Sequence, residues 1–239
     1  MSTLNAKFYR PHELNPTGVD DLYRLYERYY TAVTKARFQQ DLDEKDRVLC
    51  LYDGEYLAGF TTIKHVPFKH HGKACMALFS GDTIVDHHYW GQQLLALAWC
   101  HHAGRLKARA PEVPLYWFLI VKGHRTYRLM TLFSRRCYPH WRHSTPSDIA
   151  HLMHRLARQR YGSNYDEQKG IVRFHRSQGH LRARWAHIDD ARRGKPDVAF
   201  FMHKNPGYAR GDELVCLTEL CAENMRSHAR RAFVGEWQP

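Results

Sequence analysis

No apolar run in the 239 residues approaches the ~20 that a membrane-crossing helix needs, so no span is expected. The opening ten residues hold no apolar core of the signal-peptide type, so no secretory leader is expected. Cysteine is sparse and scattered: Cys50, Cys75, Cys100, Cys137, Cys216 and Cys221 form no Cys-x-x-Cys pair. That excludes a zinc ribbon and a dense disulfide framework, and it favours reduced thiols in a cytoplasmic setting. Internal repeats, low-complexity tracts and an obvious linker are also missing, which argues against a repeat array or a disordered tail. Acidic residues are in deficit, 24 against 36 basic, for a net charge of +12.

What is present is a globular balance: 44% hydrophobic, 25% charged and 13% aromatic residues. The length suits a single domain, residues 1–239, with a core over 1–145 and a C-terminal extension over 146–239. The basic residues are spread, with arginine frequent from Arg105 to Arg142. A basic surface of this kind attracts polyanions: nucleic acid, an acidic carrier protein or a phosphate-rich donor. Eighteen histidines add charge below pH ~6.5.

The hydrophobic periods place the elements. Leu22, Leu25, Tyr26, Tyr29 and Val33 share a helical face, predicting a helix over 19–40. Asp53-Gly54 between two β-rich runs predicts a hairpin of 47–52 with 55–64. A third strand is expected over 74–85, then a polar turn at 86–91 and a helix over 92–107. The apolar run 114–121 reads as a buried strand, followed by helices over 126–136 and 147–161, the latter capped by Ser147 and Asp148. A short strand at 171–174, late strands at 197–202 and 213–217 and a terminal helix over 218–233 complete the reading. The strand–helix–strand unit at 74–121 crosses over, so its two strands run parallel. The fold class is therefore α/β, with a mixed, mostly antiparallel central sheet flanked by helices.

The segment 83–95 delivers a strand into a polar turn and then a helix start. Helix N-termini present unpaired N–H groups and the positive end of the dipole, and so bind phosphate. This segment resembles the acyl-CoA signature of the GCN5-related N-acetyltransferases (GNATs), Gln/Arg-x-x-Gly-x-Gly/Ala at a strand-to-helix turn. Gly91 matches; His88 stands in the place of Gln or Arg, and Gln93 in the place of the small residue. A second correspondence is Thr126–Pro139, in the register of the family's Asn-x-x-Ala-x-x-Leu-Tyr helix, where Phe133 replaces the tyrosine. The resemblance covers roughly the first 140 residues. It implies a GNAT-like fold with an enlarged C-terminal part, and an N-acyltransferase moving an acyl group from acyl-CoA, acetyl-CoA or acyl carrier protein to a small-molecule amine. It places the donor at Ile84, Val85, His88, Tyr89, Trp90, Gly91, Gln92, Gln93 and Leu94.

Acyl transfer needs a base for the attacking amine, a polarised carbonyl and a proton for the departing thiolate. The polar residues of the strand before the turn are Ser80, Asp82 and Thr83. Asp82 is the expected base or amine-orienting group, with Ser80 beside it. Tyr127 and Ser134 are the nearest thiolate donors, and His65 is a further candidate base. The histidine pairs 70–71, 87–88 and 101–102 are adjacent, so their side chains are expected to diverge. His151 and His154 share a helix face but lack a third ligand in sequence, so no metal site is expected. Aromatics after residue 160, among them Tyr161, Phe174 and Trp185, suit either a core or an acyl tunnel. The alternative reading is a non-catalytic GNAT-like scaffold gripping nucleic acid or an acidic partner through its basic surface.

Overall fold

The structure is a computed structural model and describes residues 4–237. In chain order the elements are β1 (Leu4–Tyr9), α1 (Pro16–Tyr29), β2 (Tyr30–Thr31), α2 (Lys35–Asp43), β3 (Arg47–Asp53), β4 (Tyr56–His70) and β5 (Lys73–Val85). Then come α3 (Leu94–Arg109), β6 (Leu115–Val121), α4 (His124–Phe133), α5 (Ser147–Tyr161), β7 (Tyr165–Asp166), β8 (Ile171–Val172) and β9 (His180–Leu181). The chain ends with α6 (Ala183–Ala186), α7 (Asp190–Arg193), α8 (Pro196–Lys204), β10 (Glu213–Glu219) and α9 (Ser227–Phe233). Two compact units result. The first takes residues up to Tyr29, Thr34–Trp117 and the chain from Leu220 onward; the second takes Tyr30–Val33 and Phe118–Glu219.

The first unit is a sheet in the order β1-β3-β4-β5, each neighbour antiparallel to the next, followed by the opening residues of β6. The β3–β4 turn is the expected one: Gly54 sits at φ +59°, the left-handed region where a side chain is strained. β6 runs parallel to β5. Met76 N donates to Pro114 O at 3.0 Å, and four residues further along β5 Ser80 Oγ meets Trp117 Nε1 at 2.9 Å, three residues further along the other strand. The core of this unit is apolar and closed, with Leu49, Phe60, Ile63 and Leu78 at 0% exposure. α3 lies against α9 so closely that a Cβ on Gly104 would come within 1.7 Å of Phe233 O.

The second unit holds the end of β6 with β10, β8 and β7 in that order, plus a two-stranded ladder of β2 with β9. α4 packs on α8 through Tyr127 against Phe200 and Phe201. A buried ion pair joins Lys122 to Glu213 at 3.1 Å.

Four expectations about elements are corrected. The helix over 19–40 is two helices. α1 ends at Tyr29, Tyr30–Thr31 pairs with β9, Ala32 takes φ +57°, and α2 restarts behind Thr34, whose Oγ1 accepts from Arg37 N at 3.2 Å. The threonine is an N-cap signal that the apolar spacing masked. The strand over 197–202 is instead α8. Pro196 opens it, Asp197 lies in its first turn, and Val198 and Phe201, three apart, are the buried pair. The terminal helix starts nine residues later than 218, because β10 continues to Glu219. Finally, Pro146 rather than Ser147 occupies the N-cap of α5, and no side chain caps it.

Candidate active site

The ladder between β4 and β5 is broken once. Thr61 pairs with Thr83 and Ile63 with Ser80, so Thr62 alone faces two residues, Gly81 and Asp82. This is a β-bulge, which re-aims side chains and leaves part of the ladder unpaired. Glycine is required there: a Cβ on Gly81 would lie 2.5 Å from Thr62 Oγ1 and 2.9 Å from Lys45 Cε. Thr62 Oγ1 is buried at the bulge with no hydrogen-bond partner among the described residues. Asp82 is half-buried at the same point. Ser80 is buried and its Oγ accepts from Trp117 Nε1 at 2.9 Å.

Beyond the bulge β5 runs into a polar turn organised by Asp86, only 1% exposed. Its Oδ2 accepts from Tyr56 Oη at 2.7 Å and from Arg28 Nη1 at 3.0 Å. Its Oδ1 accepts from His88 N at 3.1 Å and lies 2.8 Å from His88 Nδ1 and 3.2 Å from His87 Nδ1. Burial alone would push this carboxyl upward. The hydrogen bonds from Tyr56 and His88 and the neighbouring His87 outweigh it and hold the group down at about 2. Tyr29 ties the turn to α1: its Oη accepts from His87 N at 2.6 Å and sits 3.1 Å from His87 Nδ1. Tyr89 Oη donates to Asp53 Oδ2 at 2.8 Å. The rings of His87 and His88 converge, with centroids 3.9 Å apart. Adjacent histidines diverge on an extended strand, but here the chain has left β5 for a 3-10 turn, His87–Tyr89.

The donor residues expected from the sequence lie together along this path. Ile84 and Val85 end β5. His88 and Tyr89 are in the 3-10 turn, and Trp90 follows with its Nε1 donating to Val85 O at 2.8 Å. Gly91 takes φ +100°, with nothing within 4 Å of where a Cβ would be. Gln92 is exposed. Gln93 is the N-cap of α3, and its side chain makes no capping bond. The first-turn amides after it, from Leu94 onward, have no intrahelical acceptor.

Antiparallel β1-β3-β4-β5, a turn, the crossover helix α3 and a parallel β6 form the arrangement expected for the first 140 residues. This is a mixed, mostly antiparallel α/β sheet flanked by helices, the fold class expected from the sequence. No family model matches the chain. No curated protein matches it either. Solved structures do. A conserved protein of Enterococcus faecalis V583, described as a probable N-acyltransferase, is 14% identical over 57% of this chain and 33% of its own, at a TM-score of 0.43. This match spans about a third of the Enterococcus chain. Arabidopsis thaliana NAA60 in complex with acetyl-CoA is 15% identical over 56% of this chain and 89% of its own, at 0.40. The GNAT-family N-acetyltransferase YhbS of Escherichia coli, in complex with CoA, is 16% identical over 56% and 69%, also at 0.40.

The other candidate residues are placed as follows. Tyr127, in the second unit, is fully buried and donates to Pro139 O at 3.0 Å, and burial drives its pKa far upward. Burial of this kind raises the cost of ionising the phenol. Ser134 is buried at the end of α4 in the same unit. His65 stacks on His102 at 5.9 Å, and burial lowers its pKa. His154 lies on α5 with its Nδ1 2.6 Å from Tyr165 Oη. No helix among the described residues is long and apolar enough to cross a membrane.

The residues that sequence reasoning passed over are Arg28, Tyr56, Asp86 and His87. Asp86 had a local signal, a short carboxylate opening a turn after a strand. Arg28 and Tyr56 had none, because 58 and 30 residues separate them from Asp86.

Proposed function

We propose that this chain is an N-acyltransferase that moves an acyl group from acyl-CoA to an amine by direct transfer. One observation carries the reading: α3 begins uncapped, behind an open glycine turn fed by a bulged strand. Its free first-turn amides and positive dipole end suit the pyrophosphate of the donor. The Arg28 guanidinium adds positive charge beside it.

The bulge supplies the second half of the reaction. The backbone N–H of Gly81, at the bulge, is suited to hold the thioester oxygen as charge develops on it. Asp82 takes the proton from the attacking amine. The new C–N bond forms, the C–S bond breaks, and the departing thiolate is protonated from solvent or the amine. Ser80 acts by holding Trp117 rather than by attacking. The buried Thr62 hydroxyl at the bulge fits a role in ordering the acceptor or a water.

The test is thermal shift with acetyl-CoA and a long-chain acyl-CoA, since a ligand of the native state raises its stability. A shift that Gly91→Trp abolishes supports the reading, and the preferred chain length narrows the donor. No shift with any acyl-CoA sinks it.

A further inference from the structure

Among the described residues one group of three potential metal ligands converges: Asp86, His87 and His88. We propose that Asp86 Oδ1, His87 Nδ1 and His88 Nδ1 bind a divalent first-row transition cation such as zinc or cobalt. The three atoms lie within 4.8 Å of one another, and the two nitrogens are 3.2 and 2.8 Å from the carboxylate oxygen. A cation about 2.0–2.2 Å from each ligand spaces them by roughly 3.3 Å, so small ring rotations complete the site. Two imidazoles and one carboxylate select zinc, cobalt or nickel over magnesium and calcium, which take oxygen ligands.

The surroundings are those of a metal ligand set. Asp86 is held from behind on its other oxygen, Oδ2, by Tyr56 at 2.7 Å and Arg28 at 3.0 Å. That leaves Oδ1 directed at the histidines. Outer partners of this kind orient a ligand and preserve its charge. Tyr29 Oη accepts from the His87 backbone N at 2.6 Å and so fixes the turn that carries the second ring. The side chains of His87 and His88 are 43% and 73% exposed against 2% for Asp86. The site is thus anchored inside and open to solvent outside, with an entry path and room for water or an anion at the remaining coordination positions. On binding, each Nδ1 presents its lone pair to the cation and its proton moves to Nε2 or to solvent, so affinity falls with pH.

The cation site stands whether or not the α3 N-terminus takes a CoA pyrophosphate, and its test uses no thioester. Cobalt(II) is titrated into the full chain and followed by its visible absorption. The expected result is saturable one-to-one binding that zinc displaces and magnesium does not. His87→Gln and His88→Gln should each weaken it at least about tenfold. Tyr56→Phe, a positioning change, should weaken it less while leaving the absorption spectrum intact. The pair His140→Gln/His143→Gln, removing another stacked histidine pair at 4.1 Å, should leave binding unchanged. No saturable absorption, or binding that survives His87→Gln/His88→Gln, overturns the proposal. Both rings are on the surface, so that double variant keeps the test valid even where Asp86→Asn fails to fold.

Discussion

Asp86 and His102 set two separate acid limits on stability. Asp86 titrates at about 2 in the fold, below the 3.8 of a free carboxyl. Its ionised form is favoured by folding, so its contribution is present above pH 3.8 and is lost as pH falls through about 2. The size is roughly 2 kcal/mol. Tyr56→Phe removes one donor to the carboxylate, so acid unfolding of that variant, followed by circular dichroism, should begin at higher pH than in the wild type. His102 has the opposite chemistry. Burial first, then His65 and nearby arginines, hold it down to about 4 against 6.5. The folded state keeps it neutral while the unfolded chain takes up a proton from pH 6.5 downward. Stability therefore falls between pH 6.5 and 4, by roughly 3 kcal/mol for this group at the low end. His102 already stacks on Phe8 at 4.8 Å. His102→Phe should flatten the decline in that window when stability is measured by urea unfolding at a series of pH values. His124, held down to about 4 mainly by burial in the second unit, leaves a residual slope.

Asp82 belongs to the same scale. Asp82→Asn keeps the shape and removes the base. If it takes the amine proton, the variant should lose about 10²- to 10⁴-fold in kcat while its thermal shift with acetyl-CoA is retained. Equal activity in the variant would remove Asp82 from the chemistry. The sequence singled out Asp82 because it is a carboxylate in an apolar strand just before a turn, but not the bulge that holds it. Tyr127 was equally conspicuous as a residue type, and its burial by Phe200 and Phe201, distant in sequence, was not visible there. Residue type is visible in a sequence, but solvent access is not.

At the scale of elements, the α3–α9 contact depends on one hydrogen atom. Gly104 has no side chain, and a Cβ there would meet Phe233 O at 1.7 Å and Phe233 C at 2.6 Å, both backbone atoms. Ala would favour the helix by ~1 kcal/mol on propensity alone. Sterics reverse that sign, and Gly104→Ala should destabilise the protein by about 2–3 kcal/mol or more as α9 is pushed away. Chemical denaturation measures it directly. Helices and strands with a strong local signal were legible: the Asp53-Gly54 hairpin, β5, α3 and the apolar β6. The errors share one cause. At 197–202 an apolar run looked like a strand until its neighbours, Pro196 before it and the three-residue spacing of Val198 and Phe201, are weighed. At 30–34 the chain leaves its helix to pair with β9, some 150 residues away (Tyr30 with Leu181). Such a pairing energy is absent from any local window.

For the whole molecule, charge is the property that acts at a distance. A net +12 raises the local concentration of anionic ligands and is screened by salt. If CoA is the donor, its affinity should fall steadily between low and physiological ionic strength, read by calorimetry at a series of salt concentrations. An affinity indifferent to salt would mean that the basic surface plays no part in capture.

The sequence by itself determined the class of the fold, the succession β3, β4, β5, α3, β6 and α4, and the stretch of chain that forms the polar turn. Each of these follows from local backbone chemistry: period of hydrophobicity, turn residues, a crossover too long for a hairpin. Only the tertiary structure decided that Asp86 is the hub of that turn, with Arg28 and Tyr56 on one carboxylate oxygen and two converging histidines on the other. It also decided that Tyr127 is sealed from solvent. These facts depend on which distant segments share a few ångströms. That proximity is set by burial and strand pairing summed over the whole chain rather than by the residues alone.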